Sequence, residues 1–241
     1  MLEKIEKFQI LLLAVVIAIG GIIASSILTG ALSKDVISVT GSYSQQVISD
    51  SGIFEFEIKS RKTTKSEAYA EINKQRPVVI KYLEEQGFSK EEIDIKTSRG
   101  YDIYKIMPNG MTTNQIAAFD ASQRISVKSK DVQKIKKVAT DITNLTSKGI
   151  DINVDEPSYF YSKLSDVKVK MLEEATKDAK QRASAMLKAT HNKVGKIQSV
   201  RMGVFQITPV DSTNVSDMGI NDTTTIEKKI TSVANVTFRI K

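Results

Sequence analysis

His191 is the chain's one imidazole, and it stands in Thr190-His191-Asn192 at the end of a long helical pattern. Its ordinary pKa near neutrality suits a general base. A helix C-terminus is also where a cationic ring complements the helix dipole, and that structural role is the one expected here. Glu174 and Asp178 lie one turn apart on the same helix, beside Glu173. Such carboxylates could bind a cation or act as the acid pair of a hydrolase. Lys177 follows Glu173 by four residues and Glu174 by three, so a solvated face of ion pairs explains them more simply. Asp211, Asp217 and Asp222 fall in a polar stretch without EF-hand spacing or its closing glutamate, so a loop is expected there and not a calcium site.

Composition removes further chemistry. The chain contains no Cys, which excludes disulfides, thiolate nucleophiles, Cys-ligated zinc and iron–sulfur clusters. One His excludes an HExxH site, and no GxSxG, P-loop or GxGxxG stands between a strand and a helix. No catalytic residue, cofactor or metal ligand is assigned, and the protein is expected not to be an enzyme.

Two clusters suggest contacts instead of reactions. Lys128, Lys130, Lys134, Lys136 and Lys137 surround a single acid, Asp131, and form a candidate anionic contact surface. A solvated helix face is the simpler reading of such a run. Ala175, Ala179 and Ala183 recur every four residues, so some element should pack closely along that stripe.

The elements that hold these residues begin with the N-terminus. Residues 1–7 form a short charged, cytoplasmic end, and no charge occurs from Phe8 to Ser33. A run of this length suits a transmembrane signal-anchor helix, with a cleaved signal peptide and a secreted body as second choice. Lys4 and Lys7 before the run, against Lys34 alone just after it, favour a single pass of the inner membrane with residues 34–241 in the periplasm or outside the cell. Residues 1–33 are neutral in total, so the whole net charge of +7 belongs to the exported part. A body so basic suits an anionic lipid headgroup or envelope polymer; outside the membrane, nucleic acid is not an expected partner.

In that body, Val36–Val47 and Ile53–Lys59 alternate as strands, with Ser51-Gly52 as the turn of a hairpin or of neighbouring strands. Thr64 and Glu67 form a capping box for a helix that Gly87 ends and Pro77 should kink or divide. A strand from Ile93 toward Ile106 turns at Pro108-Asn109-Gly110 and returns over Ala118–Lys128. A second helix starts at Ser129 or Asp131 and ends at Gly149. A short strand at 150–154 follows, then the helix Leu164–Thr190, a strand Val194–Phe205, a polar loop to Thr224, and a final strand. The order β-β-α-β-β-α-β-α-β-β predicts an α+β fold, with sheets covered by helices on one side and one compact exported domain.

The strand Ile37-Ser38-Val39-Thr40-Gly41, the segment Gly87-Phe88…Asp94-Ile95-Lys96-Thr97, the step from Ile125 to Val138, and the Ala-rich helix Ala175…Asp178-Ala179…Arg182-Ala183…Leu187 before Val194-Gly195-Lys196-Ile197 resemble the SIMPL family. The resemblance spans about residues 36–241 and implies a cell-envelope protein with no established reaction. It also implies self-assembly into rings or channel-like homo-oligomers and a link to oxidative-stress defence. The reading is therefore a non-enzymatic, membrane-anchored envelope protein whose exported domain self-associates. The alternative is an exported module that binds an anionic ligand.

Overall fold

The computed structural model describes residues 13–25 and 35–241. Residues 13–25 are helical (α1), with apolar side chains such as Ile17 and Ile22 exposed. The segment expected at 8–33 lies partly outside the described residues, and the stretch 1–7 lies wholly outside them. Among the described residues no helix is long and apolar enough to cross a membrane.

The body is α+β. Its elements are β1 (Val36–Ile48), β2 (Ser51–Lys62), α2 (Lys65–Glu85), β3 (Ile93–Ile95), β4 (Arg99–Ile106), β5 (Thr112–Ser129), α3 (Val132–Asp141), β6 (Asp151–Val154), β7 (Ser158–Phe160), α4 (Leu164–Lys188), β8 (Val194–Met202), β9 (Gln206–Pro209) and β10 (Glu227–Ile240). Among the described residues the chain divides into two compact units: the part up to Ser42, Glu173–Gly203 and Val233–Lys241 form one, and Tyr43–Leu172 with Val204–Ser232 form the other.

In the larger unit the sheet order is β3-β5-β2-β6, with β4 also on β5 and β7 also on β2. β2 and β5 pair antiparallel with Phe54 opposite Val127 and Phe56 opposite Ile125, which puts every second residue of both strands on one face. That face buries Phe54, Phe56, Ile58, Ala121, Ile125 and Val127 under Ile72, Val79 and Leu83 of α2 and Val132, Ile135 and Val138 of α3. Each of the Phe, Ile, Leu and Val side chains contributes roughly 1.5–3 kcal/mol by leaving water. The opposite face carries charge, where Arg124 bridges Glu55 at 3.2 Å and Asp155 at 2.9 Å. In this unit the helices thus cover one side of the sheet, as expected.

Local signals account for the helix ends. Thr64 and Glu67 cap α2 reciprocally. Gly87 then takes φ 85°, and Phe88 N–H donates to Leu83 O, closing a Schellman turn. Pro77 does not divide α2, which runs unbroken through it because the apolar face on either side is buried against the sheet. Asp131, not Ser129, caps α3, accepting from the amides of Gln133 and Lys134. The helix then tightens into a 3-10 turn over Ile142–Lys148 and stops at Gly149, φ 78°.

Several strands differ from expectation. β1 and β2 do not pair with each other. No residue between them has the positive φ that a two-residue hairpin turn requires, and the intervening amides of Ser49 and Asp50 donate instead to Ile226 and Phe160. The single strand expected from Ile93 to Ile106 is two, β3 and β4, both laid against the long β5. β7 and β9 are short strands beyond the expected order.

In the smaller unit β10 pairs antiparallel with β8. On its other side it meets β1 through Ser38 with Thr237 at 2.9 Å and Thr40 with Asn235 at 2.6 Å. Asp35 O accepts from Ile240 N–H, so this pairing is also antiparallel.

Candidate functional site

The five lysines do not make one surface. Lys134 turns inward: its ammonium donates to Gly87 O at 2.9 Å and to Glu92 Oε2 at 3.3 Å, and sits 4.3 Å from the centre of the Phe88 ring. Burial would raise the Glu92 pKa. Hydrogen bonds from Ser129, from the Ser89 amide and from Lys134 outweigh that and hold it below the ordinary carboxylate range. Lys134 therefore fastens the end of α2 to the start of α3. Lys128 and Lys130 line an open cavity of about 990 Å³ together with Lys163, and none of these three ammonium groups has a partner among the described residues. The acids of that cavity are occupied: Asp50 accepts from the amide and hydroxyl of Ser162, Glu92 holds Lys134, and Asp131 caps α3. Lys136 faces a second groove, and Lys137 is exposed.

The alanine stripe is filled from within its own unit. Ala175, Ala179 and Ala183 are 0% exposed. β1 lies so close that a Cβ on Gly41 would stand 2.1 Å from Ala175 O and 2.4 Å from Ala179 N. Asp178, one turn along, accepts from the Ser42 amide at 2.8 Å and from Arg182 Nε at 2.8 Å. The helix thus presents its backbone to a strand, which is why only small residues fit.

The remaining chemistry-bearing residues settle as structural pairs. Lys177 joins Glu173 at 2.7 Å and Glu174 at 2.9 Å, and these two bonds raise the lysine's pKa. Glu174 and Asp178 hold different cations and do not face each other as an acid pair. His191 takes φ 59° just past α4, its amide donating to Lys188 O at 3.3 Å, so it closes the helix in the left-handed conformation. Among the described residues no group of three or more His, Asp or Glu stands close enough to hold a metal ion.

One buried ion pair lies outside the candidate residues that the sequence singles out. Lys228 is buried on β10, and its ammonium donates to Asp222 O at 2.8 Å and Oδ2 at 3.2 Å. The signal was available: Lys228 shares the inward parity of Ile230, Ser232, Ala234 and Val236 on β10. A lysine in that position needs a buried acid.

Two exposed features remain. The first is the arm formed by β4 and the start of β5. It carries Tyr101 (61% exposed), Ile106 (72%), Met111 (60%) and Ile116 (52%), with Tyr104 and Met107 also outward. β4 pairs only with β5 among the described residues, so its other edge is open. The second is the groove of about 930 Å³ that Lys136 faces, between α3, the β6–β7 connection and the start of β10.

Antiparallel sheets layered with helices define an α+β scaffold. The SIMPL family model, described as a protein of unknown function (DUF541), matches residues 37–240. The chain belongs to the SIMPL family. No curated protein matches it.

Proposed function

We propose that this SIMPL protein is a non-enzymatic cell-envelope protein that works as a homo-oligomer, assembled through the β4–β5 arm and held at the membrane by its N-terminal apolar segment. The observation that carries this reading is the arm itself. Its apolar side chains are exposed on both faces, and residues 103–117 include one charge, Lys105, whose ammonium is engaged by Gln115 Oε1 at 3.3 Å. Exposed apolar surface of this kind marks an interaction site, and an open strand edge is a template for another strand. A second copy suits it because two nearly neutral arms do not repel, whereas the +7 body elsewhere does. The exposed apolar side chains of α1 suit contact with lipid, and the body then lies on the periplasmic or outer side, where the family resemblance puts envelope and oxidative-stress defence.

The absence of Cys makes the test clean. Ile106→Cys places one thiol on the arm, and mild oxidation should yield a covalent dimer of the full chain. Lys137→Cys, on α3, should stay uncrosslinked. Equal crosslinking at both positions, or none at Ile106→Cys, contradicts assembly through the arm.

A second reading, an anionic ligand such as a lipid headgroup or envelope polymer, is favoured by the three unpaired ammonium groups of Lys128, Lys130 and Lys163 around one cavity. It requires binding to anionic liposomes that weakens with salt and is lost when all three lysines become Met.

A further inference from the structure

The charged residues lining the groove beside α3 are mainly acids, although the chain as a whole carries +7. Of its carboxylates, Asp155 is held by Arg124 at 2.9 Å. Glu156, Asp211 and Glu227 are exposed, line the same groove and have no ion-pair or hydrogen-bond partner for their side chains among the described residues. Lys136 is the single cation of the lining. The acids are not gathered tightly enough to hold a metal ion, so they are spaced along the groove and match a ligand with spaced positive charges.

The wall of the groove is an open strand edge. Asp155 N–H donates to Glu55 O, which makes residues 155 and 55 a hydrogen-bonded pair of the ladder. The next residue back, Val154, stands opposite Phe56 as a non-bonded pair. Its N–H and C=O therefore point away from β2, and they have no partner among the described residues. Val154 and Tyr159 both line the groove, and the Tyr159 ring is buried while its hydroxyl donates to nothing described. An unpaired strand edge, an apolar wall and spaced carboxylates are together the recognition chemistry of an extended basic peptide.

We infer that this groove binds an extended, lysine- or arginine-bearing peptide segment, which pairs with the edge of β6 at Val154 and is read by Glu156, Asp211 and Glu227. This is independent of the oligomer: the arm and the groove share no residue. The net charge of +7 disfavours basic peptides overall, so the attraction must come from a local acidic lining such as this one.

The test uses the full chain and four labelled or competing probes, read by fluorescence anisotropy: an alternating Lys-Thr octapeptide, its Gln-Thr counterpart, the Lys-Thr peptide with alternate backbone nitrogens methylated, and spermidine. The Lys-Thr peptide should bind, weaken with added salt, and lose about tenfold in affinity in the triple variant Glu156→Gln, Asp211→Asn, Glu227→Gln, since each exposed charge contributes a fraction of a kcal/mol. The Gln-Thr and methylated peptides should bind weakly or not at all. The three carboxylates hold nothing in the fold, so the triple variant should melt with the wild type. Undiminished binding to that variant would overturn the assignment. So would equal binding of the methylated peptide, which would remove the strand edge, or of spermidine, which would make the ligand a small polycation.

Discussion

Gly41 and Ala175 meet backbone to backbone: a Cβ on the glycine would stand 2.1 Å from the alanine's carbonyl oxygen. Backbone atoms cannot swing aside as a side-chain end can, so Gly41→Ala must separate β1 from α4. The expected cost is at least the roughly 1–3 kcal/mol typical of overpacking, measured by chemical denaturation. Gly203→Ala is the control. Its added methyl would meet Val233 at 3.4 Å, an ordinary contact, and should change stability little.

Asp222 gives the fold an acid-sensitive joint. Burial alone would raise its pKa, but hydrogen bonds from Thr225, from Thr224 amide and hydroxyl, and from Lys228 bring it to about 2. The folded pKa is thus below the ordinary 3.8. The stabilisation is complete above about pH 4 and is lost as pH falls from about 4 to about 2, on the order of 2 kcal/mol. Asp222→Asn should flatten that part of the stability curve. Lys228→Met should be worse at neutral pH, by about 3–5 kcal/mol, because it leaves the carboxylate buried without its cation.

Lys134 separates packing from ligand contact. Removing it frees Gly87 O and takes away one of the three hydrogen bonds that hold Glu92. Lys134→Met should therefore cost about 1–3 kcal/mol in thermal or urea unfolding. Lys128→Met and Lys137→Met should fall within about 0.5 kcal/mol of wild type, as unpartnered surface changes do.

Periodicity and caps carried most of the elements into view from the sequence. Thr64 with Glu67, Asp131, Gly87 and Gly149 each mark an end by a mechanism confined to a few neighbouring residues. The Ala175–Ala179–Ala183 stripe likewise announced a close approach, though only Gly41, far away in the chain, shows what approaches. What was not legible depended on distant partners. β1 alternates as a hairpin strand would, yet its partner β10 lies near the other end of the chain. Lys134 reads as one of five surface lysines until Glu92 and Phe88 are brought beside it. The groove acids Glu156, Asp211 and Glu227 come from three separate segments and share no spacing that a sequence pattern could reveal.

The oligomeric state of the full chain in detergent, measured by light scattering with the micelle subtracted, tests the central claim most directly. The account predicts a discrete oligomer at micromolar concentration whose mass does not fall when salt is raised, because the arm's contacts are apolar. The double variant Ile106→Lys, Ile116→Lys should then run as a monomer with unchanged thermal unfolding. A wild-type monomer, or an oligomer that survives the double variant, would contradict it.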